Sequence, residues 1–107
     1  MSLRELVDKT VEINNRFKGR FGKKGRALSL MSEVGELADA MLEYEELKKK
    51  GTRDSKGKDH IADALSDILY NIFLIANHYD VDLDSEYEKA LGDVEKRLEE
   101  GEFIEKG

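Results

Sequence analysis

The most constraining feature of the chain is residues 60–78, which form a helix that is apolar almost all round and carries one polar strip. At about 100° per residue, the Ile, Leu and Phe side chains of this run fill one broad arc. The strip is roughly 80° wide and consists of His60, Asp63, Asp67, Asn71 and His78. Two carboxylates at i and i+4 repel each other, and a buried one is costly without a partner. The strip therefore needs a cation, hydrogen-bond donors or water.

The apolar circumference of this helix bears on the oligomeric state. The chain has 107 residues, and we treat residues 1–107 as a single helical domain. A domain of this size buries only about 60 to 65% of its unfolded surface. Two or three amphipathic neighbours from one small chain would not readily cover the helix. We therefore expect a homodimer or a homotetramer.

Composition favours an all-α bundle and limits the classes of partner that the chain is expected to bind. The chain lacks Pro, Cys and Trp, and its glycines are concentrated between periodic segments. The lack of Cys excludes disulfides and thiolate metal sites. A formal net charge of -6 argues against generic nucleic-acid binding. We expect no membrane partner and a cytoplasmic location, since the N-terminus lacks a signal-like run and no apolar segment is long enough to span a bilayer.

Periodicity predicts three further helices around residues 60–78. Ser2 is the predicted N-cap of the first, and Asp82 or Asp84 that of the last, which Gly101 ends. The predicted segments are a helix over 3–17, a basic loop over 18–26, a helix over 27–50, a linker over 51–58, a helix over 85–100 and a partly disordered tail over 101–107.

The basic loop has two interpretations. Lys23, Lys24 and Arg26 occur there with no acid between them, and glycines interrupt any helix. The loop is either a solvated turn or a clamp for phosphate groups, and it lacks the spacing of a Walker A loop.

Two acidic residues of the second helix face the polar strip if the helices pack antiparallel. Glu33 and Glu36 would then meet Asp63 and Asp67. Four converging carboxylates repel each other unless a hard divalent cation lies among them, and oxygen ligation suits Mg, with Mn as the alternative. A di-iron bundle would need Glu-x-x-His pairs, and neither histidine has a Glu three residues before it.

Two sequence segments are similar to those of a known family. SEVGELADAM, residues 32–41, and LSDILYNIFLIANHYDVDL, residues 65–83, resemble the MazG-like nucleoside triphosphate pyrophosphohydrolases of the all-α NTP pyrophosphatase superfamily. The similarity runs over residues 27–98. It implies a four-helix MazG fold completed by oligomerisation, and Mg-dependent hydrolysis of a nucleoside triphosphate to the monophosphate and pyrophosphate, as in housecleaning of nucleotide pools.

The resemblance also assigns residues. It implies that Glu33, Glu36 and Asp67 are metal ligands, and we expect Glu36, with Glu33, to supply the catalytic carboxylates. The family's remaining glutamate should stand three residues before Asp67, where this chain has Ala64. Asp63 is the nearest substitute, as a ligand directly or through water.

The same mechanism suggests substrate contacts. We expect the cations at Lys23, Lys24 and Arg26 to hold the β- and γ-phosphates. Asn71 is either a contact to sugar or base, or a buried Asn with structural partners.

Two other functions stay open. Phosphoribosyl-ATP pyrophosphohydrolase uses the same chemistry on a different substrate. An inactive helical dimerisation module is the second alternative, and Ala64 is its one supporting feature.

Overall fold

Four α-helices form the fold, in a computed structural model that describes residues 1–17, 22–49 and 55–101. The helices are α1 (Leu3–Asn15), α2 (Lys23–Lys49), α3 (Ser55–His78) and α4 (Leu83–Glu99). These described ranges contain no β-strand. The prediction of an all-α chain is confirmed.

The arrangement is centred on α3, which packs mainly against α2 and also against α1, while α4 contacts α1. Arg26, near the start of α2, is hydrogen-bonded to Asn71 in the second half of α3. Tyr44, late in α2, lies against Gly57 at the start of α3. The two helices therefore run antiparallel, as expected.

Local signals at the helix ends are largely confirmed. The Ser2 hydroxyl accepts a hydrogen bond from the Glu5 backbone N–H at 3.1 Å, which satisfies one free donor of the first turn of α1. Asp82 caps α4 by accepting from the Ser85 N–H at 3.4 Å. Gly101 follows α4 with φ +75°, a left-handed conformation that favours glycine and ends the helix.

The predicted start of the second helix was wrong by four residues. α2 begins at Lys23, inside the predicted loop 18–26, and the Arg26 N–H donates to the Gly22 carbonyl at 2.9 Å. Glycine disfavours a helix by only about 1 kcal/mol, and the contacts of Lys23 and Arg26 with α3 and the residues after it favour this first turn. Residues 18–21 of the predicted loop lie outside the described ranges.

The predicted linker 51–58 also ends earlier than expected, because α3 begins at Ser55. Gly57 lies within the predicted linker, yet it is helical. A Cβ at this position would stand 2.7 Å from Cδ2 of Tyr44, so glycine lets α3 approach α2 closely. Residues 51–54 and 102–107 lie outside the described ranges, and with them most of the predicted tail.

The interior of the chain is small. The buried apolar side chains of the described ranges are Ala64, Phe73, Leu74 and Ala76. All four belong to α3. The described part of one copy of the chain thus has only a small core.

Many apolar side chains lie at the surface. Predicted core-facing residues of α2, among them Met31 and Leu42, are exposed, and so are Leu65 and Leu69 of α3. In α4 the apolar side chains on one face are all more than half exposed. Among the described helices, none combines the length and apolar character needed to cross a bilayer.

Candidate functional site

Three carboxylates from two helices interact electrostatically at the centre of the α2 and α3 pair. Burial raises the pKa of Glu33 above its ordinary value of 4.5, and the nearby carboxylates of Glu36 and Asp67 raise it further. The Oε2 atom of Glu33 is buried and accepts no hydrogen bond from the described part of the chain. The predicted meeting of the Glu33 and Glu36 edge with the α3 strip is therefore observed.

An acidic groove of about 290 Å³ lies beside these carboxylates. Alternating turns of α2 and α3 contribute acids to it because residues spaced by three and four share one face of a helix. Its polar lining consists of Glu36, Asp39, Glu43, His60, Asp63 and Asp67, with Ala40 and Ala64 between them.

The position that departs from the MazG pattern lies in this groove. Ala64 is buried and lines the groove between Asp63 and Asp67. Asp63 and Asp67, one helical turn apart, therefore border the same groove. The role of Asp63 as a substitute ligand stays a prediction.

The polar strip of α3 differs from expectation in its burial. Asp63 and Asp67 are exposed, whereas Asn71 is buried. Asp63 and Asp67 are therefore accessible to water. The unpaired buried oxygen of the site belongs to Glu33 of α2 instead.

The donor set suits a hard cation, but the side chains are not gathered around one point. In the described part of the chain, no group of three or more His, Cys, Asp or Glu side chains is arranged to hold a metal ion. Glu36 and Asp67 are exposed, and exposed side chains change rotamer readily. Ligation would thus require rotation of these side chains toward Glu33.

Arg26 and Asn71 form a buried pair about two turns along α2 from Glu33. They are 6% and 3% exposed, respectively, and Nη1 of Arg26 donates to Oδ1 of Asn71 at 2.9 Å. The Asn71 amide also donates to the Ser29 hydroxyl at 3.4 Å and to the Asp67 carbonyl at 3.3 Å. Asn71 is therefore buried and has structural partners, and its contact to sugar or base stays a prediction.

The three predicted phosphate-binding cations are separated by the structure. The guanidinium of Arg26 is turned into the interface of α2 and α3, with its central carbon 6.0 Å from the ring centre of Tyr70. The ammonium of Lys23 lies 4.8 Å from the ring centre of Tyr79, and Lys24 is exposed. Lys23 and Lys24 are therefore more accessible to an anion than Arg26.

Three groove residues were not predicted as part of the site. Asp39 and Glu43 were not among the predicted ligands, and His60 was predicted only as a member of the polar strip. The signal was present in their spacing, since Asp39 and Glu43 continue the face of Glu36 at i+3 and i+7. His60 likewise precedes Asp63 by three residues.

Comparison of the chain with protein-family models, with curated proteins and with solved structures found no significant match. The MazG resemblance stays a prediction from the sequence.

Proposed function

We propose that the chain is a Mg-dependent nucleoside triphosphate pyrophosphohydrolase. The observation that carries the proposal is that Glu36 of α2 and Asp67 of α3 line one acidic groove, beside Glu33, whose pKa both carboxylates raise. These positions are the E-x-x-E pair and the aspartate that the MazG resemblance assigns to metal binding. A structural salt-bridge cluster would place cations among them, whereas the strongest neighbours of Glu33 are carboxylates.

The donors fit a hard divalent ion. Glu33, Glu36 and Asp67 would hold Mg²⁺, or Mn²⁺ as the alternative, with Asp63 in place of the glutamate missing at Ala64. A cation would also offset the cost of burying the unpaired Oε2 of Glu33. When bound, the ion neutralises the triphosphate and polarises its α-phosphoryl group.

Side chains of the protein would then activate the attacking water and bind the phosphates. Glu36 is exposed to the acidic groove, so its carboxylate can reach a water molecule there and orient it or take its proton. Attack of that water on the α-phosphorus breaks the bond to the bridging oxygen and releases pyrophosphate. Lys23 and Lys24 are the accessible cations for the outgoing phosphates.

We also propose that the working form is a homodimer or homotetramer with a cytoplasmic location. The exposed apolar surfaces of α2, α3 and α4 support the oligomer. Cytoplasmic location rests on the sequence prediction alone.

The product of the reaction tests the proposal. Purified protein is incubated with Mg and a panel of ribo- and deoxyribonucleoside triphosphates, with phosphoribosyl-ATP as one arm, and pyrophosphate is separated from phosphate. We expect pyrophosphate and a nucleoside monophosphate in equal amounts. Turnover of phosphoribosyl-ATP alone would select that alternative, and no pyrophosphate from any substrate would favour the inactive dimerisation module.

Matched variants of groove residues test which carboxylates take part in turnover and in Mg binding. Glu36→Gln should abolish turnover, whereas Glu43→Gln, the same change on the same helix and in the same groove, should not. Asp63→Asn should raise the Mg concentration needed for half-maximal rate. Unchanged Mg dependence would remove Asp63 from the ligand set.

A further inference from the structure

Asn71 of α3 bridges the two helices that carry the candidate carboxylates. Its amide oxygen accepts from Nη1 of Arg26 in α2 at 2.9 Å, and its amide nitrogen donates to the Ser29 hydroxyl of α2 at 3.4 Å. The same nitrogen donates to the backbone carbonyl of Asp67 at 3.3 Å, one turn back along α3. Because Asn71 is 3% exposed and Arg26 6%, this bridge is shielded from water.

The guanidinium of Arg26 contacts two consecutive residues of α3. Asn71 accepts its hydrogen bond, and the ring centre of Tyr70 lies 6.0 Å from its central carbon. The Tyr70 hydroxyl in turn donates to Oδ1 of Asn14 in α1 at 3.0 Å. Polar contacts therefore link three helices at the level of Asn71.

The bridge defines a register between the antiparallel helices. Ser29 stands opposite Asn71. Glu33 lies four residues further along α2, and Asp67 lies four residues back along α3. Since residues four apart share one face of a helix, the bridge is one turn, about 6 Å, from the level at which Glu33 and Asp67 interact.

The other contacts of the pair are more distant or less strict. Tyr44 lies against Gly57 in the same register, but this contact is about 16 Å along α2 from Glu33 at 1.5 Å per residue. Apolar side chains of both helices also line a shared groove. Apolar burial is non-directional, whereas a hydrogen bond holds its two heavy atoms within about 3.2 Å of each other.

A displacement of one helical turn shows what the bridge prevents. A slip of about 5.4 Å along the helix axis would separate Arg26 from Asn71 beyond hydrogen-bonding distance. Depending on its direction, it would place Glu33 opposite Asn71 or Asp63 instead of Asp67. Such a slip would bury the guanidinium without this acceptor, which is costly. Specifying a register is the best-attested role of a buried polar pair.

We propose that Asn71 is a positioning residue for the carboxylate site. Through Arg26 and Ser29 it fixes the register of α2 on α3 in which Glu33 and Asp67 face each other. An amide this deeply buried acts on a bound ion through helix placement rather than as a ligand. The inference rests on the cation site of the proposed function, but it does not need the proposed hydrolysis.

Binding of Mn²⁺ to the folded protein tests the proposal, because a purely stabilising residue would change Tm and leave the ion affinity of the folded state unchanged. Asn71→Ala should weaken Mn²⁺ binding by at least about tenfold, as does the loss of groups that orient metal ligands. Each protein is measured at one temperature at which its circular dichroism lies on the folded baseline. Equal affinity in Asn71→Ala and the natural protein would overturn the proposal.

Tyr70→Phe is the matched control. It removes the hydrogen bond to Asn14 of α1 but keeps a ring beside Arg26, so it weakens the fold without releasing α2 from α3. We expect a lower Tm and the Mn²⁺ affinity of the natural protein. A loss of affinity as large as that of Asn71→Ala would mean that any loosening of the fold weakens the site, and it would overturn the proposal.

The double variant Arg26→Met with Asn71→Ala separates register from stability. Removing both partners of a buried hydrogen bond is close to neutral for stability, so this variant decides the question if Asn71→Ala does not fold. Its Mn²⁺ affinity should stay at least about tenfold below that of the natural protein, because apolar contacts do not restore the register. The titration contains no nucleotide, so a role of Arg26 toward phosphate does not enter. Recovery of the natural affinity would overturn the proposal.

The proposed hydrolysis fails separately. Pyrophosphate release by the natural protein, with equal Mn²⁺ affinity in all variants, would overturn the positioning role alone. Weak Mn²⁺ binding by both Asn71 variants of a protein that releases no pyrophosphate would support the positioning role and contradict the hydrolase. A natural protein that binds no Mn²⁺ would overturn both.

Discussion

Replacing Asn71 with alanine should destabilise the protein strongly. Its amide oxygen accepts a hydrogen bond from Arg26 at 2.9 Å in a buried environment. Hydrogen bonds to charged groups contribute about 1.5 to 3 kcal/mol, and removing the acceptor leaves the guanidinium buried without this partner. In a domain of about 100 residues, each kcal/mol shifts Tm by about 4 to 8 °C, so Asn71→Ala should lower Tm by at least about 6 °C.

The assay is thermal unfolding at one fixed protein concentration, with Asn77→Ala as the matched control. Asn77 is an exposed asparagine on the same helix, and its replacement should cost no more than about 0.5 kcal/mol. The double variant Arg26→Met with Asn71→Ala should recover part of the loss, because removing both partners is close to neutral. If Asn71→Ala unfolds with the natural protein and only raises KM, then Asn71 is a substrate contact and the structural interpretation is wrong.

Three further variants test the site and the fold. Burial and two carboxylates raise the pKa of Glu33, so the contribution of this group to the stability of the metal-free protein should be largest below pH 4.5. That contribution should be lost as the pH rises through the folded pKa. Unfolding curves measured at a series of pH values should show that Glu33→Gln removes this loss and that Glu43→Gln keeps it. The same pH dependence of stability in both variants would contradict this reasoning. Ala64→Glu should lower Tm without Mg, since it buries a carboxylate, and should enlarge the rise in Tm on adding Mg. An equal rise in both proteins would exclude a ligand position there. Asp82→Ala removes the acceptor for the Ser85 N–H and should cost about 1 kcal/mol, seen as faster hydrogen exchange in α4. Unchanged exchange would show that the cap contributes little.

The helices could be predicted from local information in the sequence. Apolar spacing located all four, and the caps at Ser2 and Asp82 depend on residues only three positions apart. The starts of α2 and α3 could not be predicted in this way. Gly57 serves close packing against Tyr44, and a glycine that packs looks the same in a sequence as a glycine that turns.

The candidate site was predicted in part. The antiparallel pairing of two acidic helix faces follows from periodicity and a short connection, and the structure shows this pairing. In the described residues the acidic side chains are not arranged to hold a metal ion, so the ligand set stays a prediction. The pairing of Arg26 with Asn71 joins residues 45 positions apart, and it depends on the rotation of both helices about their axes. Side-chain periodicity fixes such rotation only to within a broad arc, so neither residue's role was determined.

Binding of Mn²⁺, followed by the loss of its free paramagnetic signal, tests the central claim that Glu33, Glu36 and Asp67 form a divalent cation site. The natural protein and Glu43→Gln should bind the ion with similar affinity. Glu33→Gln should weaken binding by at least about tenfold, since even partners of metal ligands contribute that much. Equal affinity in all three proteins, or no binding by the natural protein, would contradict the account.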